Sequence, residues 1–276
     1  MNFIMTGHKG LIGSFLEKKL SELNHNPLLL IDQRDGKGVS DIEKEKLTEP
    51  ADVFIHLADF CKINRTIETP ELAFKNSHNM EKVMEFCRKN KIPKIVYTSS
   101  SRVLSREKNP YTSSKFYGEE LLKSYSQCYG IDYVIIRPST VYAPFNDKTS
   151  RLVDMWCLAA LKGQELKIYG NKEKTLDFTY IDDFIPGFLL AMQQRNSDFN
   201  IAGGKAIPVK YVADLIINLA GKGYKKFYPR EIAQPQEVEV DISALKRLGY
   251  EPKVSIEEGI KKTFEWYKNS FDKIKR

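Results

Sequence analysis

The sequence is poor in cysteine, with four among 276 residues and no two at the Cys-x-x-Cys spacing of a metal or redox motif. No histidine stands at zinc-ligand spacing from them, so we predict reduced thiols, no metal site and a cytoplasmic protein. Long apolar runs are also missing. None approaches the roughly 20 residues that cross a bilayer, and residues 3–5 are too short for a signal-peptide core, so we predict no membrane partner.

A concentrated basic patch is absent as well, although the formal net charge is +7. The lysines are scattered, without interleaved aromatic residues or a recognised nucleic-acid module, so we expect no nucleic-acid partner. A basic surface nevertheless attracts anionic ligands. With 42% hydrophobic residues, the chain is long and apolar enough to bury a large core.

Three glycines near the start of the chain predict a nucleotide-binding turn. Gly7, Gly10 and Gly13 follow the apolar run 3–5 and open a stretch with apolar residues at helical spacing. In a strand, turn and helix of this kind, glycines let the backbone approach a pyrophosphate, which binds the free N–H groups at the helix start. The spacing is not the commoner Gly-x-Gly-x-x-Gly, so an ordinary glycine-containing loop is the alternative interpretation.

The second apolar strand ends in an acid. Asp32 follows Leu28–Ile31, nineteen residues after Gly13, where a dinucleotide fold places a carboxylate against the adenosine ribose diol. That carboxylate would repel the 2′-phosphate of NADP, so the pattern favours NAD. Arg34 lies close enough in sequence to offset part of the repulsion, and an exposed strand-end aspartate is the alternative.

Strand and helix patterns then alternate through residue 137. The predicted elements are strands at 52–57, 94–99 and 131–137 and helices at 71–90 and 111–129. Continuous apolar strands joined by helices predict an α/β fold with a doubly wound parallel sheet of the Rossmann type. We expect a core of residues 1–145 with a returning segment near 178–200. Residues 146–276 would mostly form a smaller C-terminal substrate-binding lobe.

Tyr111 and Lys115 carry the predicted chemistry. On a helix, a spacing of four puts the phenol and the ammonium on one face. A nearby ammonium and the positive ring of an oxidised nicotinamide would lower the pKa of the phenol towards that of a useful base. A chance pair on an amphipathic helix is the alternative, and the serines at 99–101 could simply cap a turn.

Several segments together resemble one known family. Residues 6–13, 40–42, 56–59, 96–103 and 137–144 resemble, in order, segments of the extended short-chain dehydrogenase/reductases, in particular the NAD-dependent nucleotide-sugar epimerase/dehydratase family with its UDP-glucose 4-epimerase-like members. Residues 177–183 and 248–252 resemble later segments of the same family. The order and spacing of these segments carry the resemblance, because no single segment is specific.

The resemblance implies a set of site residues. Ser100, Tyr111 and Lys115 would be catalytic, with Ser99 as the fallback for Ser100. The residues implied in NAD binding are Gly7, Gly10, Leu11, Ile12, Gly13, Asp32, Asp41, Ile42, Leu57, Ala58, Asp59, Asn76, Ser99, Tyr111, Lys115, Pro138 and Ser139.

The chain also departs from the family pattern. Thr140 stands in place of an asparagine that touches the sugar diphosphate, and Leu176 and Gln234 stand in place of arginines. Neither leucine nor glutamine can replace the planar, charged guanidinium of arginine. Charge from another direction could come from Arg151, Lys172, Lys174 or Arg230. Asp59 replaces the usual alanine or glycine. These changes weaken the case for an ordinary uridine diphosphate hexose.

The implied activity is NAD-dependent 4-epimerisation of a nucleotide sugar by hydride abstraction and return through a keto-sugar intermediate. Ser101 and Arg102 fill the place of the Asp-Glu pair of the dehydratases, so dehydration ranks below epimerisation and carbonyl reduction. An NAD(P)H-dependent reductase remains an alternative. A non-catalytic NAD sensor is less favoured because it needs neither Tyr111 nor Lys115. The family often pairs through the helices at 71–90 and 111–129, which implies a homodimer.

Overall fold

The computed structural model describes residues 1–146 and 149–274, and these form two compact units. The first contains residues 1–138 and 185–201, and the second contains residues 139–184 and 202–276, of which 147, 148, 275 and 276 lie outside the described part. The sequence-based boundary at residue 145 differs from this division. Residues 140–142 pair with a strand of the second unit, as described below.

The first unit is built on a six-stranded sheet in the order β2-β1-β3-β4-β5-β9. All neighbouring strands in it are parallel. The strands are β1 (Asn2–Thr6), β2 (Asn26–Ile31), β3 (Val53–His56), β4 (Lys94–Thr98), β5 (Asp132–Pro138) and β9 (Ser197–Ile201). The sequence-based prediction of a doubly wound parallel sheet is confirmed.

The connections between these strands are helical, as parallel strands require. They are α1 (Leu11–Glu22), α2 (Ile63–Glu68), α3 (Glu71–Lys89), α4 (Pro110–Tyr129) and α6 (Ile181–Met192), with 3-10 helices at Gln33–Asp35, Val39–Lys44 and Ser101–Leu104. The predicted helices at 71–90 and 111–129 agree with α3 and α4 within one residue at each end. The order of the strands reverses beside β1, so the carboxyl ends of β1 and β3 form the switch point where such folds bind ligands.

The helix α4 is fixed at both ends and along its face. Asn109 and Thr112 form a capping box that spans Pro110, the first residue of the helix, and Gly130 ends the helix in the left-handed region at φ +70°. In the middle, a Cβ built on Gly118 would lie 2.6 Å from the hydroxyl of Tyr97, so only glycine permits this approach to β4. The helix that carries Tyr111 and Lys115 is therefore held in a defined register against the sheet.

A buried ion pair also ties α4 to β5. The guanidinium of Arg137 donates to both carboxylate oxygens of Glu119, at 2.8 and 2.6 Å, and Ser99 donates to Glu119 at 2.5 Å. All three side chains are buried. Because a buried charge that loses its partner is strongly destabilising, this cluster holds α4, β4 and β5 together.

The second unit contains two small sheets. The strands β6 (Thr140–Tyr142), β8 (Thr175–Tyr180) and β10 (Ala206–Pro208) form the order β10-β8-β6, and β7 (Glu165–Tyr169) pairs in parallel with β11 (Tyr224–Tyr228). Its helices are α5 (Leu152–Leu161), α7 (Val209–Ala220), α8 (Ser243–Lys246) and α9 (Ile256–Ser270). After residue 145, β9 and not β8 is the strand that joins the six-stranded sheet.

Candidate active site

The glycine turn after β1 is tightly packed. Gly7 has φ +77°, and a Cβ there would lie 2.9 Å from the backbone nitrogen of Ala58. A Cβ on Gly13 would lie 2.1 Å from the carbonyl oxygen of Gly7. Real contacts of this length do not occur, so both positions require glycine. Gly10 is less constrained, because its Cβ would lie 3.1 Å from the same oxygen.

The start of α1 presents its backbone beside this turn. The helix begins at Leu11 after Gly10, which offers no side chain to cap the first N–H groups. Leu11 and Ile12 are buried beneath it and anchor the first turn. A pyrophosphate fits such a start, since the N–H groups and the helix dipole both favour an anion. The strand, turn and helix predicted around the three glycines are therefore present.

Asp32 lies at the end of β2 and is held by Arg34. The guanidinium of Arg34 donates to both carboxylate oxygens, at 2.9 and 3.2 Å, and the backbone N–H of Lys9 donates at 3.2 Å. Burial alone would raise the pKa of Asp32, but the hydrogen bonds and charge of Arg34 hold the pKa below its ordinary value. The carboxylate that is expected to face the ribose diol is thus ionised and already bound to a cation.

The carboxyl end of β3 is fastened to β1. The hydroxyl of Thr6 is hydrogen-bonded to Nδ1 of His56 at 2.7 Å and accepts from the backbone N–H groups of Leu57 and Ala58, at 3.2 and 3.3 Å. Asn76 of α3 exchanges two hydrogen bonds with the backbone of Phe60, at 2.9 and 3.1 Å. These contacts fix residues 57–60 beside the glycine turn, so the role of Asn76 here is to support that segment.

The short segment predicted to flank the adenine has one buried and one exposed member. Ile42 is buried and lies in the core cluster of the first unit. Asp41 is exposed and pairs with Lys44 at 2.5 Å. The side chain of Ile42 therefore offers no surface to a flat base, and only its backbone could face the adenine.

The predicted catalytic side chains meet on one side of α4. Tyr111 is buried, and the side chain of Ser100 is placed to hydrogen-bond its phenol and acts to lower the pKa of the phenol. Ser99 instead donates to Glu119, in the structural cluster described above. The two serines therefore have different partners, and Ser100 is the one that faces the phenol.

Lys115 lies one turn further along α4 and is buried, with 4% of its side chain exposed. Its ammonium donates to the carbonyl oxygen of Thr98 at 2.6 Å and forms an ion pair with Asp59. It also lies 4.9 Å from the centre of the Tyr97 ring. Burial by itself would lower the pKa of Lys115, but Asp59 and the two tyrosines raise it on balance, so the side chain stays charged.

The pKa of Tyr111 moves in the direction opposite to the sequence-based expectation. Burial raises it above its ordinary value, while the charge of Lys115 and the hydrogen bond from Ser100 act to lower it. Asp59 adds to the rise because its negative charge opposes that of Lys115. Lys115 alone therefore does not make the phenol a base near neutral pH.

In the second unit, the side chain of Ser139 contacts a buried carboxylate. Its hydroxyl donates to Asp177 at 3.1 Å and is hydrogen-bonded to that of Thr179 at 2.7 Å. Asp177 also accepts from the backbone N–H groups of residues 203–205, at 2.7, 2.9 and 3.2 Å. The predicted site residue Pro138 ends β5 in the first unit. Ser139 therefore has a well-defined local role as a partner of Asp177.

The positions that depart from the family pattern carry no guanidinium. Leu176 is buried in β8, and Gln234 accepts two hydrogen bonds from Arg230 on its carbonyl oxygen, at 3.3 and 3.0 Å. Lys174, one candidate for a compensating charge, donates to the carbonyl oxygen of Tyr169 at 2.9 Å and lies 3.7 Å from Glu231. The charge of Lys174 is thus already matched within the second unit.

Two functional features were missed by the sequence reasoning. The pairing of Asp59 with Lys115 links residues far apart in the chain, and its only sequence signal was the unusual aspartate after Ala58. The role of Asp177 as an anchor of residues 203–205 had no local signal.

Among the residues described, no group of three or more histidine, cysteine, aspartate or glutamate side chains is placed to hold a metal ion. Within the same ranges, no helix has the length and apolar character needed to cross a membrane.

Comparison with known proteins identifies the family. Residues 3–202 match the model of the NAD dependent epimerase/dehydratase family. Since that match covers more than half of the sequence, the chain belongs to this family, and the predicted enzyme class, an NAD-dependent enzyme of the extended short-chain dehydrogenase/reductase type, is confirmed.

Individual relatives agree with this assignment. A putative UDP-glucose 4-epimerase of Methanocaldococcus jannaschii is 30% identical over 97% of this chain and 98% of that protein. A UDP-glucuronate 4-epimerase of Thermodesulfobacterium geofontis is 28% identical over 80% of this chain and 74% of that protein. The crystal structure of a Thermotoga maritima UDP-glucose 4-epimerase with UDP-glucose has a TM-score of 0.87 at 24% identity, covering 98% and 100% of the two chains, and shows the same fold.

NAD is the cofactor of this family, and the residues described above fit it. The glycine turn leaves no room for a Cβ, and the uncapped start of α1 offers N–H groups to a pyrophosphate. Asp32 stands at the end of β2 as an ionised acceptor. The prediction of NAD as the cofactor is therefore confirmed.

Proposed function

We propose that this chain is a nucleotide-sugar 4-epimerase that removes a hydride from the sugar and returns it to the opposite face. The observation that carries the proposal is the contact of Ser100 with Tyr111, one helical turn from Lys115, in a chain of the epimerase/dehydratase family. These groups supply a hydrogen-bond donor, a base and a cation in one buried cluster.

Tyr111 is proposed as the base. In its phenolate form it takes the proton of the 4-hydroxyl as the carbon–hydrogen bond breaks, which leaves a ketone. Ser100 donates a hydrogen bond to the developing carbonyl oxygen, where negative charge collects in the transition state. When the keto sugar turns over, Tyr111 gives the proton back and the 4-hydroxyl is restored with the opposite configuration.

Bound NAD would supply the acceptor and the source of the hydride, so the reaction would involve no net oxidation. Gly7, Gly10 and Gly13 would hold its pyrophosphate, Asp32 its adenosine ribose and Lys115 its nicotinamide ribose. Because the hydride returns within one catalytic cycle, the cofactor need not leave the protein. We further propose that the first unit binds NAD and the second unit contributes most of the substrate contacts.

The substrate class rests on the relatives. The M. jannaschii and T. geofontis proteins are named for UDP-glucose and UDP-glucuronate, and these two compounds are the first candidates for this chain. Leu176 and Gln234 give the second unit fewer cations for a diphosphate than the family pattern provides. We therefore expect weaker binding of the diphosphate than in members with both arginines.

Dehydration is the less favoured reaction for a specific reason. It needs a general acid that protonates the departing sugar hydroxyl, and the place of the usual acidic pair holds Ser101 and Arg102 in a 3-10 helix after β4. Arg102 cannot give up a proton near neutral pH. A carbonyl reductase differs in another way, because it would consume NADH in stoichiometric amounts.

The purified full-length chain can be tested with no added cofactor. It should convert UDP-glucose or UDP-glucuronate to the 4-epimer, measured by chromatography of the sugars, and should contain bound NAD. If conversion requires one added NADH for each substrate molecule, the protein is a reductase instead. A chain that binds NAD while Tyr111→Phe leaves its cellular function intact would be a sensor.

We also propose a homodimer formed through α3 and α4. Met80, Met84 and Leu122 on these helices are buried in the core and are not available for an interface. Phe74 and Phe116 are exposed to 59% and 54%, so they offer apolar surface on the same helices. Sedimentation should give about twice the chain mass, and Phe116→Glu should shift the protein to the monomer.

We expect the activity in the cytoplasm, in keeping with four free cysteines.

A further inference from the structure

Asp59 is an unusual residue in an unusual place. It follows Ala58 at the end of β3, where the family resemblance implies alanine or glycine, and only 5% of its side chain is exposed. One carboxylate oxygen contacts the ammonium of Lys115. The other oxygen, Oδ1, is buried and has no hydrogen-bond partner among the residues described.

A buried carboxylate with one empty oxygen is costly, because burial removes the water that would otherwise solvate it. Packing does not need it either, since a smaller apolar side chain would avoid that cost. What the carboxylate does supply is a negative charge directly against the lysine of the proposed active site. Its presence is therefore best explained by its effect on the local charge.

The other titratable groups near the pair leave that charge balance intact. Burial lowers the pKa of His56 to about 4, so its ring is neutral at pH 7. Burial raises the pKa of Tyr97, which keeps its phenol neutral as well. The titratable groups that face Asp59, Lys115 and the phenol of Tyr111 are His56, Cys61 and Tyr97.

We propose that Asp59 is a positioning residue that compensates the charge of Lys115, so that the positive ring of the oxidised cofactor, and not Lys115 alone, activates Tyr111. The inference rests on the proposed function, because it assumes that Lys115 and Tyr111 act on a bound nicotinamide. Before oxidised NAD is bound, the carboxylate offsets part of the effect of the lysine on the phenol. The base is then formed together with the complex that can use it.

The same charge must influence which form of the cofactor binds. NAD⁺ and NADH differ by one positive charge on the nicotinamide ring, and a nearby carboxylate favours the charged form. A unit charge acting over about 10 Å at an effective dielectric constant of about 20 changes such a preference by about tenfold. Loss of the carboxylate should therefore weaken NAD⁺ relative to NADH by about this factor.

The test compares Asp59→Asn and Asp59→Ala with Asp59→Glu, which retains the charge. Asp214→Asn is the control, because Asp214 also pairs with a lysine but lies on an exposed face of α7. Dissociation constants for NAD⁺ and NADH are measured by titration of each full-length variant. The Asn and Ala variants should shift the NAD⁺/NADH affinity ratio about tenfold towards NADH, while the Glu and control variants should keep the ratio of the wild type.

The pH profile supplies a second readout. Removing the negative charge lowers the pKa of Tyr111, so the acid limb of kcat should move to lower pH in Asp59→Asn. A purely structural role would lower the melting temperature without moving the ratio or the limb. The proposal is wrong if a folded Asn or Ala variant keeps the affinity ratio and the acid limb of the wild type. It is also wrong if no variant at position 59 folds.

The two proposals fail separately. An active Tyr111→Phe variant would overturn the proposed function whatever position 59 does. If Tyr111→Phe is inactive but neutral variants at position 59 keep the wild-type ratio and pH profile, then only the role of Asp59 is overturned.

Discussion

The two units of this chain differ in what their tightly constrained positions do. In the first, the glycine turn leaves no space at Gly7 or Gly13, and the cluster around Tyr111 depends on particular side chains. In the second, Asp177 holds residues 203–205 through backbone N–H groups, and a Cβ on Gly203 would lie 2.5 Å from the carbonyl oxygen of Phe178. The required residues of the first unit therefore include those proposed to carry the chemistry, whereas those of the second unit maintain the fold of the region proposed to bind the sugar.

The family pattern follows the same division. The glycine turn, Ser100, Tyr111 and Lys115 are all present in the first unit. The departures at residues 140, 176 and 234 fall in the second unit, at positions where the family resemblance implies contact with the substrate. Asp59 is the departure that lies in the first unit. Variants in the first unit should therefore change kcat or cofactor binding, and variants in the second should change KM.

The largest effect is expected for Tyr111→Phe. Loss of the base should lower kcat by about 10²–10⁴-fold, while the affinity for NAD stays close to that of the wild type. Steady-state kinetics and NAD titration check the two parts. Tyr117→Phe is the control, because its hydroxyl contacts Glu81 on the exposed side of α4. Similar kcat values for both variants would contradict the role of Tyr111 as the base.

The neighbouring serines should separate chemistry from stability. Ser100→Ala should lower kcat by about 10²–10³-fold, since a donor to the developing oxyanion is lost. Ser99→Ala removes a hydrogen bond to Glu119 and should lower the melting temperature with a much smaller change in kcat. The reverse pattern in kinetics and melting curves would assign the catalytic role to Ser99.

In the second unit, Gln234→Arg should improve substrate binding. Restoring a guanidinium where the family has one should lower KM for the nucleotide sugar by about tenfold, with kcat unchanged, because a charge-assisted hydrogen bond to the diphosphate is gained. Gln164→Arg, which adds the same charge at an exposed position, is the control. An equal drop in KM for both variants would point to general attraction and not to a specific contact.

The smallest effect is expected for Arg34→Ala. Without the guanidinium, the carboxylate of Asp32 repels a 2′-phosphate more strongly, so the preference for NAD over NADP should rise by about threefold. Titration with both cofactors measures it, and Arg88→Ala, which removes a similarly exposed arginine paired with Glu85, is the control. A fall in the preference would mean that Asp32 and Arg34 do not face the adenosine ribose.

Much of the fold could be predicted because its signals are local. The apolar run before Gly7 and the helical spacing in 71–90 and 111–129 depend on neighbouring residues alone, and the observed elements follow them closely. The spacing of Tyr111 and Lys115 and the position of Ser100 also come from local pattern and from the family resemblance.

Long-range partners could not be predicted in the same way. The ion pair of Lys115 with Asp59 exists because β3 and β4 are neighbours and α4 packs closely over Tyr97. The strand β8 has the composition of a core strand but pairs with β6 and β10, since strand composition does not specify a partner. The raised pKa of Tyr111 depends on burial, which the sequence does not reveal.

The proposed return of the hydride to the carbon it left can be measured directly with a nucleotide sugar that carries deuterium at C4. After conversion by the full-length chain in ordinary water, mass spectrometry and NMR should find the deuterium still at C4 of the epimer. Loss of the label to water, or its transfer to released NADH, would contradict the account.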